Sequence, residues 1–409
     1  MPRPDEHFER VCAFVIKLAV CAHRWGTQAR RLETYLTHVT AALGCRGTFR
    51  VTPTKLVSTF SRASDDPQPT TQTVHLPGTG FDLAKLARLG ELVAAVETGH
   101  VALPKANARL DAIVHAPPPY GKVLVAAGYF LAGAGFAGFV RCGTQDLLLS
   151  GLLGMLVYGM VLGTEKLPAC FTYGVPFLCT CCVGIIATMF SLAAPQTQVY
   201  LVTLSAVIYL VPGFTISCGV MELTYNYVHS GIINLVNGLL SLVLLFAGAW
   251  VGVTLVRQCF PVVVGPGICG SAQLVWPAAI IMAAGLCVIF QTPRRDFLWA
   301  LAGCVIAGAG IILGTHMVNV NLGNFLGTVF VVVFANHWSG KTRRPASLVL
   351  LPAIVFLVSG SIGFRGFVAL AAGQAALGWQ EIAHMFVVAL SIAAGLFAGN
   401  TLYRPNTSL

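Results

Sequence analysis

The chain has 409 residues, of which 10% are charged and 56% hydrophobic. Soluble domains carry about 25% charged residues, so the composition excludes a conventional cytosolic enzyme, and the hydrophobic content excludes a disordered chain. Residues 1–122 hold 15 basic and 10 acidic groups, and residues 123–409 hold the other 10 and 5. That asymmetry predicts a soluble domain over residues 1–120 followed by a polytopic membrane part.

Asp5, Glu6 and Glu9 near the start do not make the basic region of a secretory signal, so no signal peptide is expected. The apolar run Val11–Ala22 is broken by Lys17 and is too short for about 30 Å of hydrocarbon. It reads as part of an amphipathic helix, Phe8–Trp25. A second helix, capped by Thr27, runs to Leu43, where Gly44 supplies a stop. Cys45–Ser61 is β-like, with Pro53 between two short runs. Asp65–Thr71 is turn-rich, and Val74–Leu76 is a third strand. Helices follow at Asp82–Thr98 and Pro104–His115. Pro117-Pro118-Pro119-Tyr120 then forms a stiff, extended connector. The result is a small α+β domain without a Gly-rich phosphate loop or paired carboxylates. Cys12, Cys21 and His23 read as core or surface residues of its first helix.

Ten apolar windows follow, at about 122–140, 147–163, 170–190, 200–220, 232–255, 274–290, 297–314, 321–338, 346–370 and 384–403. With the soluble domain in the cytoplasm, the inner loops and ends hold Lys122, Lys166, Arg294, Arg295, Lys341, Arg343, Arg344 and Arg404. The outer loops hold Arg141 and Arg257. This is the positive-inside pattern, and it puts both termini in the cytoplasm. Membrane topology thus accounts for part of the net charge of +10. Because the soluble domain mixes both signs, no nucleic-acid partner is expected. Gly128, Gly133, Gly135 and Gly138 mark the first span as a close-packing helix. Cys179, Cys181 and Cys182 share one span with no His or carboxylate nearby, so they read as packing residues and no metal site is expected. Cys259 and Cys269 share a polar loop and can pair if it faces an oxidising side.

Two segments look alike: Ser205-Ala-Val-Ile-Tyr-Leu-Val-Pro-Gly-Phe214 and Pro352-Ala-Ile-Val-Phe-Leu-Val-Ser-Gly-Ser361. Each lies in the fourth span of a five-span half, residues 121–258 and 273–404. Because five is odd, duplicated halves would be inverted in the bilayer, an arrangement common in secondary transporters. Pro212 removes a backbone donor, and Gly213 and Gly360 relax the chain. Both breaks fall near mid-membrane, where freed backbone groups must be buried in protein or line a polar cavity. A half-helix N-terminus there favours an anion. A simple kink is the plainer alternative.

Candidate substrate-binding residues therefore cluster at the breaks: Pro212, Gly213, Cys218, Ser359, Gly360 and Ser361. Arg365 either pairs a substrate carboxylate or snorkels to the outer interface. Glu222 either carries a coupling proton or is a solvated loop residue. His316, a second candidate for proton coupling, stands with Asn319, Asn321 and Asn324 at an outer helix end. The amides suit a hydroxyl or ammonium group, or serve as caps. An enzyme embedded in the membrane would need a nucleophile–base or metal constellation, and the spans contain none.

Val51-Thr-Pro-Thr54, the stretch from Gly80-Phe-Asp-Leu83 to Leu89, Pro119-Tyr120, and Leu210-Val-Pro-Gly-Phe214 with Glu222 and Ser230-Gly231 resemble the first half of the threonine/serine exporter (ThrE) family. Phe290, Pro293-Arg294 and Leu357-Val-Ser-Gly-Ser361 resemble that family's small partner half. The resemblance covers nearly all of the chain. It implies a ten-span inner-membrane exporter of L-threonine and L-serine, an antiporter driven by the proton motive force, with a cytoplasmic N-terminal domain and no cofactor. Its partners would be the amino acid, protons and the lipid bilayer, with a homo-oligomer possible. Relatives often carry Pro at the position of Ser359 and Asn at that of Cys218. Split-chain relatives are associated with dicarboxylate (succinate) export, the alternative substrate class on the same scaffold.

Overall fold

A computed structural model of the chain describes residues 4–62, 69–78, 80–164, 174–261, 265–357 and 360–403. The N-terminal part begins with helix α1, Pro4–Arg24. Its apolar side chains recur at helical spacing, and Val11, Val15, Leu18, Ala19 and Ala22 are fully buried. Gly26 ends the turn with φ at +101° and lies so close to Phe81 that a Cβ would sit 2.8 Å from the ring. Helix α2, Ala29–Ala42, buries Leu32, Tyr35, Leu36 and Val39. Its N-cap is Gln28, not the expected Thr27, because the chain stays extended for one residue more. Gly44, in the left-handed region at φ +79°, follows its end as expected.

Strands β1 (Arg46–Val51), β2 (Lys55–Ser61) and β3 (Thr70–His75) form an antiparallel meander. Val51 faces Leu56, and Phe60 faces Thr70. Phe49, Val51, Leu56 and Phe60 give the sheet its buried face. The third strand starts earlier than Val74, and most of the expected turn before it lies outside the described residues. Helix α3, Leu83–Glu97, is capped by Asp82, whose side chain accepts the Lys85 N–H at 3.0 Å. Helix α4, Leu103–Val114, carries Pro104 in its first turn.

The membrane part follows the apolar windows. It comprises α5 (Lys122–Phe139), α6 (Thr144–Thr164), α7 (Val175–Ala193), a broken span of α8 (Val199–Ala206) and α9 (Gly213–Thr224), and α10 (Val228–Cys259). Its second half has α11 (Val275–Ile289), α12 (Phe297–Met317), α13 (Val320–Thr342), a second interrupted span of α14 (Ser347–Phe356) and α15 (Gly360–Ala371), and α16 (Ala375–Leu402). Among the described residues, nine helical segments are long and apolar enough to cross a membrane, and the bent pair α8–α9 brings the number to ten. The protein is thus a multi-pass membrane protein with a small α+β part at its N-terminus.

Glycines set the closest helix contacts. A Cβ on Gly135 would lie 2.5 Å from the Met282 nitrogen, and one on Gly285 would lie 2.6 Å from the Ala132 nitrogen, so α5 and α11 touch backbone to backbone. Gly310 against Gly327 and Gly314 against Gly323 do the same for α12 and α13. Contacts recur in the two halves. The first half-helix of each broken span, α8 or α14, packs on the three spans before it. The second, α9 or α15, packs on the long helix that follows it and on the corresponding helix of the other half.

The N-terminal part docks on the end of the bundle formed by the loops that carry Gln291, Arg295 and Arg344. Leu83 N–H donates to the Phe290 carbonyl at 3.0 Å, and the Phe81 ring meets Phe214 at 5.6 Å and Phe290 at 5.1 Å. The Tyr120 N–H donates to Gln291 Oε1 at 3.1 Å. Arg344, 9% exposed in its side chain, is paired with Asp296, 5% exposed, and reaches Glu91 Oε1 at 3.2 Å. Arg295 also pairs with Glu91. The basic residues that mark topology in the sequence thus include two that hold the N-terminal part in place. Lys166 and Arg404 lie outside the described residues.

Candidate functional site

Pro212 and Gly213 open the span where expected. The chain leaves α8 at Ala206, makes one tight turn over Ile208–Leu210, and restarts as α9 at an angle of 66°. Pro212 is the N-cap of α9, where its missing N–H costs no helical bond. In the other half α14 stops at Phe356 and α15 restarts at Gly360, while Ser359 lies outside the described residues. The two interruptions meet. A Cβ on Gly360 would lie 2.6 Å from Val211 Cγ1, 2.9 Å from the Gly213 nitrogen and 3.1 Å from Gly213 Cα. Two half-helix N-termini therefore abut inside the bundle, and their dipoles together favour negative charge in their vicinity.

One helix length further along α9, on the side of the N-terminal part, Glu222 is 3% exposed. A buried carboxylate needs hydrogen-bond donors, and α10 supplies two: Ser230 Oγ and Asn234 Nδ2 each donate to Glu222 Oε2 at 2.8 Å. No described residue donates to Oε1. Glu222 lines two adjoining cavities between the bundle and the N-terminal part. The larger, about 590 Å³, is bounded by Thr27, Gln28, Arg30 and Arg31, by Phe214, Met221 and Tyr225, and by residues of α14 and α16 such as Leu351 and Asn400. The smaller, about 90 Å³, adds His23, Cys218, Ser230 and Asn234. Small-molecule sites commonly occupy about 300–1,000 Å³.

The electrostatics of the larger cavity are mixed. Arg30 stacks on the Tyr225 ring, its Cζ 3.9 Å from the centroid. Arg31 is half-buried and has neither a carboxylate partner nor a hydrogen bond among the described residues. Burial and the neighbouring Arg30 pull its guanidinium below the ordinary arginine range, so an anion beside it would be stabilised. Burial holds Glu97 above its usual range, opposed by His38. Thr27 Oγ1 is buried without a hydrogen-bond partner in the cavity wall, and Gln28 Nε2 contacts Cys218 Sγ at 3.5 Å. The donors and acceptors fit a small polar molecule carrying both charges. Among the described residues no group of His, Cys, Asp and Glu side chains could hold a metal ion.

Of the sequence candidates, Pro212, Gly213 and Gly360 meet at the breaks, with Ser361 half-buried one residue into α15, while Cys218 and Glu222 lie apart from them, lining the cavities further along α9. The structure does not bring the other candidates to either place. Arg365 is exposed, and its Nη2 lies 3.3 Å from Glu381 Oε2 of α16, because five residues of helix carry it past the break and onto the outer flank. His316 is exposed at the end of α12 remote from the N-terminal part. Asn319 caps α13 by accepting the Leu322 N–H at 3.0 Å, and Asn324 Nδ2 donates to the Val320 carbonyl at 3.0 Å. Asn321 Oδ1 is buried without a hydrogen-bond partner there. Arg31 escaped the sequence reading, and Thr27 entered it only as a helix cap. Nothing in an ordinary amphipathic helix marks which exposed-type residue will face a second body.

A family model described as "Putative threonine/serine exporter" matches residues 13–256. A second, described as "Threonine/Serine exporter, ThrE", matches residues 276–402. The first takes in the N-terminal part as well as the first five spans, and the second covers the remaining ones. No match was found among curated proteins or among solved structures.

Proposed function

The chain belongs to the threonine/serine exporter family, a family of transporters, and we propose that it exports L-threonine or L-serine across the cytoplasmic membrane in exchange for protons. The observation that carries the reading is Glu222. This buried carboxylate is fixed through one oxygen by Ser230 and Asn234 and opens on a cavity that also holds Arg31, whose guanidinium has no carboxylate partner among the described residues. The amino acid enters from the side of the N-terminal domain, which is cytoplasmic. Its carboxylate meets Arg31 and its ammonium group meets Glu222 Oε1. Thr27, whose hydroxyl has no hydrogen-bond partner among the described residues, accepts or donates to the substrate hydroxyl.

From there the substrate moves toward the abutting N-termini of α9 and α15, where the carboxylate is stabilised by the helix dipoles. A cavity of about 310 Å³ at the opposite end of the same broken span, lined by Thr197, Gln198 and Arg257, is the exit. Glu222 couples the two fluxes by competition: it holds either the ammonium group or a proton. The recurring helix contacts of the two halves support reading them as inverted repeats that rock about the paired breaks. A dicarboxylate is the second reading, favoured by Arg31 and the two N-termini. Glu222 opposes it, since a second carboxylate beside this one is repelled.

The test is uptake and release by the full-length protein in liposomes under an imposed pH gradient, with labelled threonine, serine and succinate. Threonine or serine moves, Glu222→Gln abolishes gradient-driven flux, and Arg31→Ala raises the substrate concentration needed by on the order of tenfold or more, the value of a charge-assisted hydrogen bond. Succinate moving in place of the amino acids overturns the substrate. Undiminished gradient-driven flux in Glu222→Gln overturns the coupling.

A further inference from the structure

At the end of the bundle remote from the N-terminal part, the turn joining α5 to α6 lies against the segment that leads into α11. Cys142 and Cys269 form an isolated antiparallel bridge there. The backbone hydrogen bond flanks the pair and does not join it: Gly270 N–H donates to the Arg141 carbonyl at 2.8 Å. The Arg141 Nε also donates to the Gly270 carbonyl, at 3.3 Å, pinning the two segments a second time. In a non-hydrogen-bonded antiparallel pair the Cα atoms stand about 4.5 Å apart and the side chains are at their closest. Disulfides span Cα separations of about 4.4–6.8 Å. Cys142 is 2% exposed and Cys269 is open to the outside. Cys259, which the sequence offers as a partner for Cys269, is the rival to this pairing.

We propose that Cys142 and Cys269 are a modification site, oxidised in the cell to a disulfide that ties the first half of the membrane part to the second. The inference rests on the cytoplasmic placement of the N-terminal domain, which turns this end toward the oxidising side. The oxidant is a protein or small-molecule disulfide. The Cys269 thiolate attacks one of its sulfurs and expels the other as a thiol. Cys142 then gives up its proton and attacks Cys269 Sγ in the mixed disulfide, expelling the second thiol. The two cysteines lose two electrons and two protons, and the oxidant's disulfide becomes two thiols. Exposure makes Cys269 the first nucleophile. Burial, Asp146 and Cys269 push the Cys142 thiol up to about 12, so the closing step is the slow one and quickens with pH. The bond fixes the outer ends of α5 and α11, which already touch through Gly135 and Gly285, and leaves the two broken spans unlinked.

The experiment is peptide mapping of the full-length protein from membranes quenched with N-ethylmaleimide before lysis and digested without reductant. The expected result is a Cys142 peptide joined to a Cys269 peptide, two hydrogens lighter than their sum and lost on treatment with dithiothreitol. Reduction also lowers the unfolding temperature of the wild type and leaves that of Cys269→Ser unchanged. Both cysteines carrying maleimide, or Cys269 joined to Cys259, overturns the proposal. In Cys142→Ser, labelling of Cys269 in intact cells by a membrane-impermeant maleimide reports the side. Labelling with no disulfide in the wild type refutes the bond while leaving the orientation intact. Absence of labelling refutes the orientation, and the proposal with it.

Discussion

Replacing Gly360 by alanine tests whether the two interrupted spans truly meet. The added Cβ would lie 2.6 Å from Val211 Cγ1, 2.9 Å from the Gly213 nitrogen and 3.1 Å from Gly213 Cα. Carbon contacts are comfortable at about 3.5–4.0 Å. The valine can turn, but the Gly213 backbone is the first residue of α9 and can yield only if the half-helices part by roughly half an ångström to one. Overpacking of this kind costs about 1–3 kcal/mol. Gly360 has no positive φ, so the backbone itself accepts alanine and the loss reports on space alone. If the contact belongs to one conformation of the transport cycle, the same energy moves that equilibrium by about 5- to 150-fold. The assay is thermal unfolding of the full-length protein in detergent, together with initial flux in liposomes. Gly159→Ala is the control, because a Cβ there meets nothing within 4 Å. Gly360→Ala is expected to lose both stability and flux, and Gly159→Ala neither. Identical behaviour of the two variants would refute the apposition of the breaks.

Arg344→Ala leaves buried Asp296 with only the looser contact to Arg295 Nε at 3.9 Å, and removes one of the two arginines on Glu91. Breaking a buried pair costs about 3–5 kcal/mol, read as a lower unfolding temperature and faster proteolysis between residues 115 and 121. Arg295→Ala, exposed in its side chain, is expected to cost about 1 kcal/mol or less. Burial holds the His23 imidazole below its ordinary 6.5, opposed in part by the Pro53 carbonyl. The unfolded chain therefore binds this proton more readily than the folded one, so the stability from neutral His23 is complete above 6.5 and falls as pH drops below it. His23→Asn is expected to flatten the fall in unfolding temperature from pH 7 to pH 5; an unchanged slope would show that other groups cause it.

Much of the fold is legible because lipid leaves the chain few choices. A backbone in hydrocarbon must bond to itself, so each long apolar window becomes a helix whatever its neighbours do. The windows and the Pro212–Gly213 interruption could be read off one after another. Element ends were less legible: Thr27 reads as a cap by type, yet Gln28 takes that position, because the docking of Gly26 on Phe81 sets where α2 begins. Arg365 shows a different failure. Its place inside an apolar stretch is clear from spacing, but its partner, Glu381, lies on another helix, and spacing carries no information about which flank a residue will face.

Periodicity, charge asymmetry and the interruptions are local properties of the chain, and they alone determined the apolar spans, the break at Pro212–Gly213 and the small α+β part that precedes them. Three facts were decided only by folding. The breaks at Gly213 and Gly360 touch, the N-terminal part closes a cavity over Glu222 by bringing Thr27 and Arg31 to it, and Cys142 finds Cys269. Each joins segments more than a hundred residues apart. Their contact depends on which helix packs beside which, and that choice is made by the summed fit of glycine-lined surfaces rather than by any motif.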